Sequence, residues 1–140
     1  MQHIAICQRF SAPVGRVYAH LARHENLGDV FGARITRVRD GDTTPDGVGS
    51  VRELKVSALL PSFQETVTEA VPDELIEYRI TQGSPLRDHV GVMRFSAEGA
   101  GTRLDYTIDF DSVVPGAGGV IRAVLERNVR RGLAQLADRL

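Results

Sequence analysis

Apolar positions recur along this chain with two different periods. After Ser11, and again from Val120 to the end, they fall every third or fourth residue; between Ser50 and Phe110 they fall at every second residue. A period near 3.6 marks a helix with one apolar stripe, and a period of 2 marks a strand with one buried face. The pattern predicts a strand over His3 to Phe10, followed by a helix in "SAPVGRVYAHLARH". In that helix Ser11 is placed to cap, Pro13 to enter, and Val14, Val17, Tyr18 and Leu21 to face inward. A short helix or turn is expected around Asn26 to Phe31, then a strand over Ala33 to Arg39 that stops at the turn-rich "DGDTTPDGVG".

Strands dominate the middle of the chain. Ser50 to Ser57 sets Arg52, Leu54 and Val56 on one face and Val51, Glu53 and Lys55 on the other. Ser62 to Val71 carries Phe63, Glu65 and Val67 on one side. After a turn at Pro72 to Glu74, Leu75 to Thr81 continues, "QGSP" interrupts, and Asp88 to Ala97 follows. The "EGAG" hairpin leads into Thr102 to Phe110, where Leu104, Tyr106, Ile108 and Phe110 share one face and Arg103, Asp105, Thr107 and Asp109 the other. So clean an alternation implies one wet face. The last element is a helix over Val120 to Leu140, with Ile121, Val124, Leu125, Val129, Leu133, Leu136 and Leu140 as its stripe and arginines on its solvent side. Asn128 and Gly132 interrupt that stripe. A polar and a very small residue on the inner side predict empty space between helix and sheet, which a bulky residue at Gly132 would fill. One strand, two short helices, a six-strand antiparallel meander and one long helix make an α+β arrangement in which a curved sheet wraps around the helix.

Composition narrows the possibilities without naming a function. The 140 residues are read as a single domain, 1–140, with a formal net charge of -1, which gives no global attraction for nucleic acid or an anionic membrane. Cys7 is the only cysteine, so no internal disulfide or cysteine-based zinc cluster forms. No apolar run reaches the length of a membrane span, and "MQHIAICQRF" is too short and interrupted for a secretory signal. A cytoplasmic location is expected, in a bacterium with a GC-rich genome, since Lys55 is the sole lysine among many arginines. No cofactor is expected, and either a monomer or a homodimer fits.

Several residues are candidates for chemistry. Glu65 lies between Phe63 and Val67 on a face that reads as buried, where a carboxylate needs a partner or a raised pKa. It is placed to bind a ligand hydroxyl or act as a general base, to pair with Arg52 on the neighbouring strand, or, after one β-bulge, to turn into solvent. Arg52 could grip a carboxylate or enolate, or neutralise Glu65. Tyr78 with Ile76 and Ile80, and Tyr106 with Leu104 and Ile108, give an apolar wall with hydroxyl tips, or two ordinary core tyrosines. Asn128 could meet a ligand or a buried water. Arg87 and His89 follow "GSP", where His89 could shuttle protons as a second acid/base candidate beside Glu65. His20 and His24 have the spacing of a metal pair but lack an acidic third ligand, and are expected at the surface. His3 and Cys7 can share a strand face with nothing else to support a metal, so no metal site is expected. No nucleophile elbow, phosphate loop or dinucleotide glycine pattern occurs.

The ordered set "SAPVGRVYAHLARHENLGDVF", "GVGSVREL", "ETVTEAVPDELIEYRITQGSPLRDHVGVMRF", "GAGTRLDYTIDF" and the arginine-rich last helix resembles the START/Bet v 1 superfamily, in particular the bacterial polyketide cyclase/dehydrase-like (SRPBCC) proteins. The resemblance covers nearly the whole chain and implies the helix-grip fold. It also implies a cavity for a hydrophobic or amphiphilic lipid- or polyketide-like molecule. "GSVREL", "LLP" and "QGSPLRDH" are similar to the gate and latch loops of the plant abscisic-acid receptors, which makes Leu59, Leu60 and Pro61 a gate and Ser84 to Arg87 a latch. Two departures stand against abscisic acid itself: Gly32 falls near the receptors' ligand-binding lysine, and Ile108 replaces an acidic cavity residue. The ligand-binding set so implied is Arg52, Leu54, Val56, Leu60, Glu65, Tyr78, Ile80, Arg87, Val90, Tyr106, Ile108, Leu125, Asn128, Val129 and Gly132. Binding of a small hydrophobic molecule is the first expectation, a cyclase or dehydratase using Glu65 or His89 the second, and a ligand-gated interaction module the third.

Overall fold

A computed structural model describes residues 1–59, 61–84 and 86–140. The chain opens with strand β1 (Gln2–Phe10), helix α1 (Val14–Ala22), a 3-10 turn (His24–Asn26) and helix α2 (Gly28–Phe31). Six strands follow: β2 (Arg34–Arg39), β3 (Val51–Lys55), β4 (Phe63–Val71), β5 (Leu75–Gln82), β6 (Leu86–Glu98) and β7 (Gly101–Ser112). Helix α3 (Gly118–Arg139) closes the chain. The seven strands form one antiparallel sheet in the order β1-β7-β6-β5-β4-β3-β2. Five hairpins carry the chain from β2 to β7, and β1 then pairs with β7 from Gln2 opposite Phe110 to Phe10 opposite Thr102. This is the expected helix-grip arrangement, a curved antiparallel sheet around a long C-terminal helix.

The strands obey their alternation. Leu104, Tyr106, Ile108 and Phe110 are all buried, and so are Ile4, Ile6 and Phe10 on the neighbouring β1. Val17 and Leu21 of α1, Leu27, and Val30 of α2 complete the core with Val129, Leu133 and Leu136 of α3. The stripe on α3 is narrower than its sequence suggests, because Val124 is exposed. Ser11 does not cap α1. Pro13 takes the cap position in an extended conformation, and its carbonyl accepts from the N–H groups of Arg16 and Val17.

The turn-rich segment after β2 is ordered by Arg37. Its guanidinium donates to Glu25 (2.9 and 3.1 Å), to the Pro45 carbonyl (2.7 Å) and to Asp46. The same Asp46 carboxylate accepts from the His24 backbone N–H at 3.3 Å. The loop is thereby tied to the turn between α1 and α2, and His24 is held against the sheet.

Gly132 contradicts its expected role. A Cβ there would fall 2.5 Å from the Val30 carbonyl oxygen and 2.7 Å from the Val30 Cα. The missing side chain lets α3 press its backbone against α2, so the glycine marks a close approach and no cavity. Adding a methyl group to this contact overpacks backbone on backbone, which costs about 1–3 kcal/mol and outweighs the gain in helix propensity of up to ~1 kcal/mol. Gly132→Ala should therefore lower the urea midpoint, while Gly119→Ala, where a Cβ meets nothing within 4 Å, should hold or raise it. Equal effects of the two substitutions would mean that α2 does not pack on α3 through Gly132.

Candidate functional site

The cavity between the inner face of the sheet and α3 is built around an interruption in the sheet. β5 and β6 pair in register from Leu75 opposite Arg94 to Tyr78 opposite Gly91. Beyond that point the side chain of His89 takes over, and the Ile80 N–H donates to His89 Nδ1 at 3.1 Å. Asp88 with φ of 52° and a register shift between Arg87 and Val90 form the irregularity beside His89 on β6, where His89 is buried. The pairing of the two strands thus ends with an imidazole where a backbone rung would stand. Because Nδ1 accepts, the neutral ring carries its proton on Nε2.

Tyr78 lies across Gly91, where a Cβ would come within 2.3 Å of the tyrosine ring. That glycine lets the Tyr78 ring lie against β6, and the Tyr78 hydroxyl there hydrogen-bonds the hydroxyl of Tyr106 on β7. Burial raises the pKa of both phenols, so each stays protonated. On the other side of Tyr78 sits Arg52, its guanidinium carbon 4.8 Å from the Tyr78 ring centre and 5.7 Å from that of Phe31. Arg52 and Glu65 are directly opposite on β3 and β4. Arg52 Nε donates to Glu65 Oε1 at 2.9 Å, and Nη2 lies 2.9 Å from the same oxygen without an aligned hydrogen bond. Burial raises the Glu65 pKa, and the Arg52 charge opposes that rise. Of the alternatives open for Glu65, the inward-facing ion pair is the one present.

Behind this pair, Ser50 Oγ and His24 Nε2 are 3.0 Å apart, both fully buried. His24 is therefore not the surface residue its spacing suggested; its turn is folded under the sheet by Asp46. Its Nδ1 is buried with no hydrogen-bond partner among the described residues. Burial, and then the nearby Arg52 charge, push the His24 pKa down to about 4. Burial likewise pushes His89 down to about 4.

The cavity itself measures about 80 Å³. Leu54, Val56, Glu65, Tyr78, Ile80, Tyr106, Ile108, Leu125 and Val129, all expected on its wall, line it, and so does His89, the second acid/base candidate. Arg52 stands behind Glu65. Four expected residues lie elsewhere. Arg87 is exposed, Val90 is half-buried on β6 away from the lining, Asn128 accepts from Arg131 Nη2 at 3.1 Å on the helix surface, and Gly132 abuts α2. Leu60 of the supposed gate and Pro85 of the supposed latch lie outside the described residues; Leu59 is 93% exposed. Phe31, Ala33, Phe63 and Leu86 also line the cavity. Alternation puts Phe63 on the inner face with Glu65, but the other three come from segments where no alternation announces a face.

Over residues 1–140 the sequence matches the family described as polyketide cyclase / dehydrase and lipid transport. The chain belongs to that family. Solved structures of low identity share its fold. The Zhui aromatase/cyclase from Streptomyces sp. R1128 is 22% identical with a TM-score of 0.77, covering 99% of this chain and 94% of that one. The di-domain ARO/CYC BexL from the BE-7585A biosynthetic pathway is 18% identical with a TM-score of 0.74, covering 99% and 46%. The Aha1 dimer from Colwellia psychrerythraea is 15% identical with a TM-score of 0.73, covering 99% and 95%. No curated sequence matches the chain. Among the described residues of this family member, no helix is long and apolar enough to cross a membrane, and no group of three or more potential metal ligands occurs.

The two buried imidazoles make stability depend on pH. Their folded pKa values, near 4, lie below the ordinary 6.5. Between these limits the unfolded chain binds more protons, so the stabilisation is complete above about 6.5 and is lost as pH falls towards 4. Lowering the pH from 7 to 4.5 should cost on the order of 2 kcal/mol for each imidazole in urea unfolding. His89→Gln, which keeps an acceptor for the Ile80 N–H, should show a smaller loss. A flat profile across that window would mean that the imidazoles are not held neutral.

Proposed function

We propose that the chain binds a small hydrophobic or amphiphilic molecule, of the lipid or polyketide kind, in the cavity between sheet and α3. The observation that carries this reading is the convergence of a few polar groups on an otherwise apolar cavity. The tyrosine hydroxyl pair, His89 and the Glu65–Arg52 pair stand among Leu54, Ile80, Ile108, Leu125 and Val129. Sites for small molecules have this makeup, an apolar wall with few oriented polar groups. The family match and the aromatase/cyclase neighbours support the same class.

The volume sets a condition on binding. Ligand pockets usually span about 300–1,000 Å³, and an empty cavity of roughly 150 Å³ just accepts benzene. The 80 Å³ enclosed here takes a few atoms. A larger ligand enters by displacing the side chains of the rim, where Val56 is half exposed and Phe63 and Leu86 are half-buried.

One observation favours a second reading, a cyclase or dehydratase. With Nδ1 of His89 occupied by the Ile80 N–H, the Nε2–H is a donor, and with the tyrosine hydroxyls it could polarise a carbonyl in the cavity. Against it, the lone pair of His89 Nδ1 is taken by the Ile80 N–H and Glu65 is tied to Arg52, which leaves no poised base. Binding without chemistry therefore stands first.

A neutral fluorescent probe, N-phenyl-1-naphthylamine, tests the cavity. The protein should bind it, and Ile108→Phe, which fills the cavity from β7, should weaken binding roughly tenfold or more. Circular dichroism and the urea midpoint establish whether that variant is folded, and native against denaturing mass spectra of the unsubstituted protein show whether a ligand is retained. Unchanged probe affinity in a folded Ile108→Phe protein would remove the cavity from consideration.

A further inference from the structure

Beside the cavity rim lies a second depression, an open groove of about 640 Å³ between the end of α2, the outer ends of β2 and β3, and the last turns of α3. Ala33 and Val56 line both the groove and the apolar cavity, so the two are adjoining compartments. Their chemistry differs. The groove is lined by Arg34, Lys55 and Arg139 against a single carboxylate, Asp29. Asp29 lies 3.9 Å from Arg139 with both side chains well exposed, a contact of little strength.

The register of the sheet adds an independent sign. Arg34 and Lys55 are directly opposite each other on β2 and β3. Like charges in that position repel and destabilise a strand pair. Arg34 itself forms no ion pair among the described residues, unlike Arg37 three cross-strand positions further on, which has Glu25 and Asp46. An anion seated in the groove would interact favourably with both charges.

We propose that this groove binds the anionic end of the ligand whose apolar end occupies the cavity. The ligand class is then an amphiphile carrying one carboxylate or phosphate. The inference rests on the cavity reading given above and adds the charge, the second compartment and the residues that recognise it: Arg34 and Arg139, with Lys55 completing the positive rim. Val56 and Ala33 are the apolar threshold across which the two halves of the ligand join.

Titration calorimetry with chain-matched probes separates the claims. Decanol tests the cavity alone, decanoate and decyl phosphate test cavity and groove together, and inorganic phosphate tests the groove alone. The expected result is that decanoate or decyl phosphate binds roughly tenfold tighter than decanol. That preference should shrink in high salt, which screens exposed charges. In an Arg34→Gln, Arg139→Gln double variant the ratio of anionic to neutral affinity should fall close to one, with the urea midpoint establishing that the variant is folded. Equal binding of decanol and both anions by the unsubstituted protein would overturn the proposal while leaving the cavity reading intact. So would an anion preference that survives the double substitution. Inorganic phosphate binding as tightly as decyl phosphate would make the groove a site for free anions and overturn the amphiphile. Binding of none of the ten-carbon probes would overturn the cavity reading and this inference with it.

Discussion

A guanidinium sealed inside a small protein has to be neutralised, and the interior of this one is arranged around that requirement. Arg52 is 2% exposed and is met by Glu65, 5% exposed, directly across the β3–β4 ladder. The pair fixes more than its own charges. Phe31 and Tyr78 pack on the guanidinium, which places Tyr78 against Gly91 and brings its hydroxyl to Tyr106. The same positive charge helps keep His24 and His89 neutral. Such a pair adds little net stability compared with apolar residues of the same volume, but losing one partner costs about 3–5 kcal/mol because the other is stranded. Its effect is to hold one particular arrangement of the cavity's polar groups.

Two glycines show how closely space is controlled around that arrangement. Gly91 admits an aromatic ring, and Gly132 admits a neighbouring helix backbone. Together with the bulge at Asp88 they decide where the sheet and helix touch and where they stand apart. α3 approaches β1 and α2, and the gap left towards the inner faces of β3 to β7 is the cavity. The void thus follows from where close contact is permitted and does not need a small residue on its own wall.

This explains why the fold was legible in the sequence while parts of the site were not. Alternation such as Leu104, Tyr106, Ile108 and Phe110 states the buried face outright, because period 2 admits one register. The Glu65–Arg52 pairing was within reach for the same reason, since both lie on strands with clear parity. A helical stripe carries less. Gly132 marks a small side chain on the inner face but is silent on whether a void or a backbone faces it. Asn128 lies at the edge of the stripe and turns to Arg131. His24 follows a helix and looks exposed until Asp46 and Arg37, more than ten residues on, fold the loop over it. Phe31, Ala33 and Leu86 sit where short helices, turns and a bulged strand end suppress any period. Their contact with the cavity is a property of the tertiary fold.

The polar groups of the cavity share one character. One phenol proton is used in the Tyr78–Tyr106 bond, which leaves the other phenol O–H and the imidazole Nε2–H as donors, and the one carboxylate is already spoken for by Arg52. A wall of this kind suits a ligand that accepts hydrogen bonds, such as a carbonyl, and suits poorly one that must lose a proton. To serve as a base, Glu65 would have to leave Arg52, and an uncompensated guanidinium would remain among Phe31 and Tyr78 at a cost of several kcal/mol. A penalty of that size slows a reaction by a factor of about a hundred or more. General-base use of Glu65 therefore hinges on a single contact, the one between β3 and β4, and that contact is made.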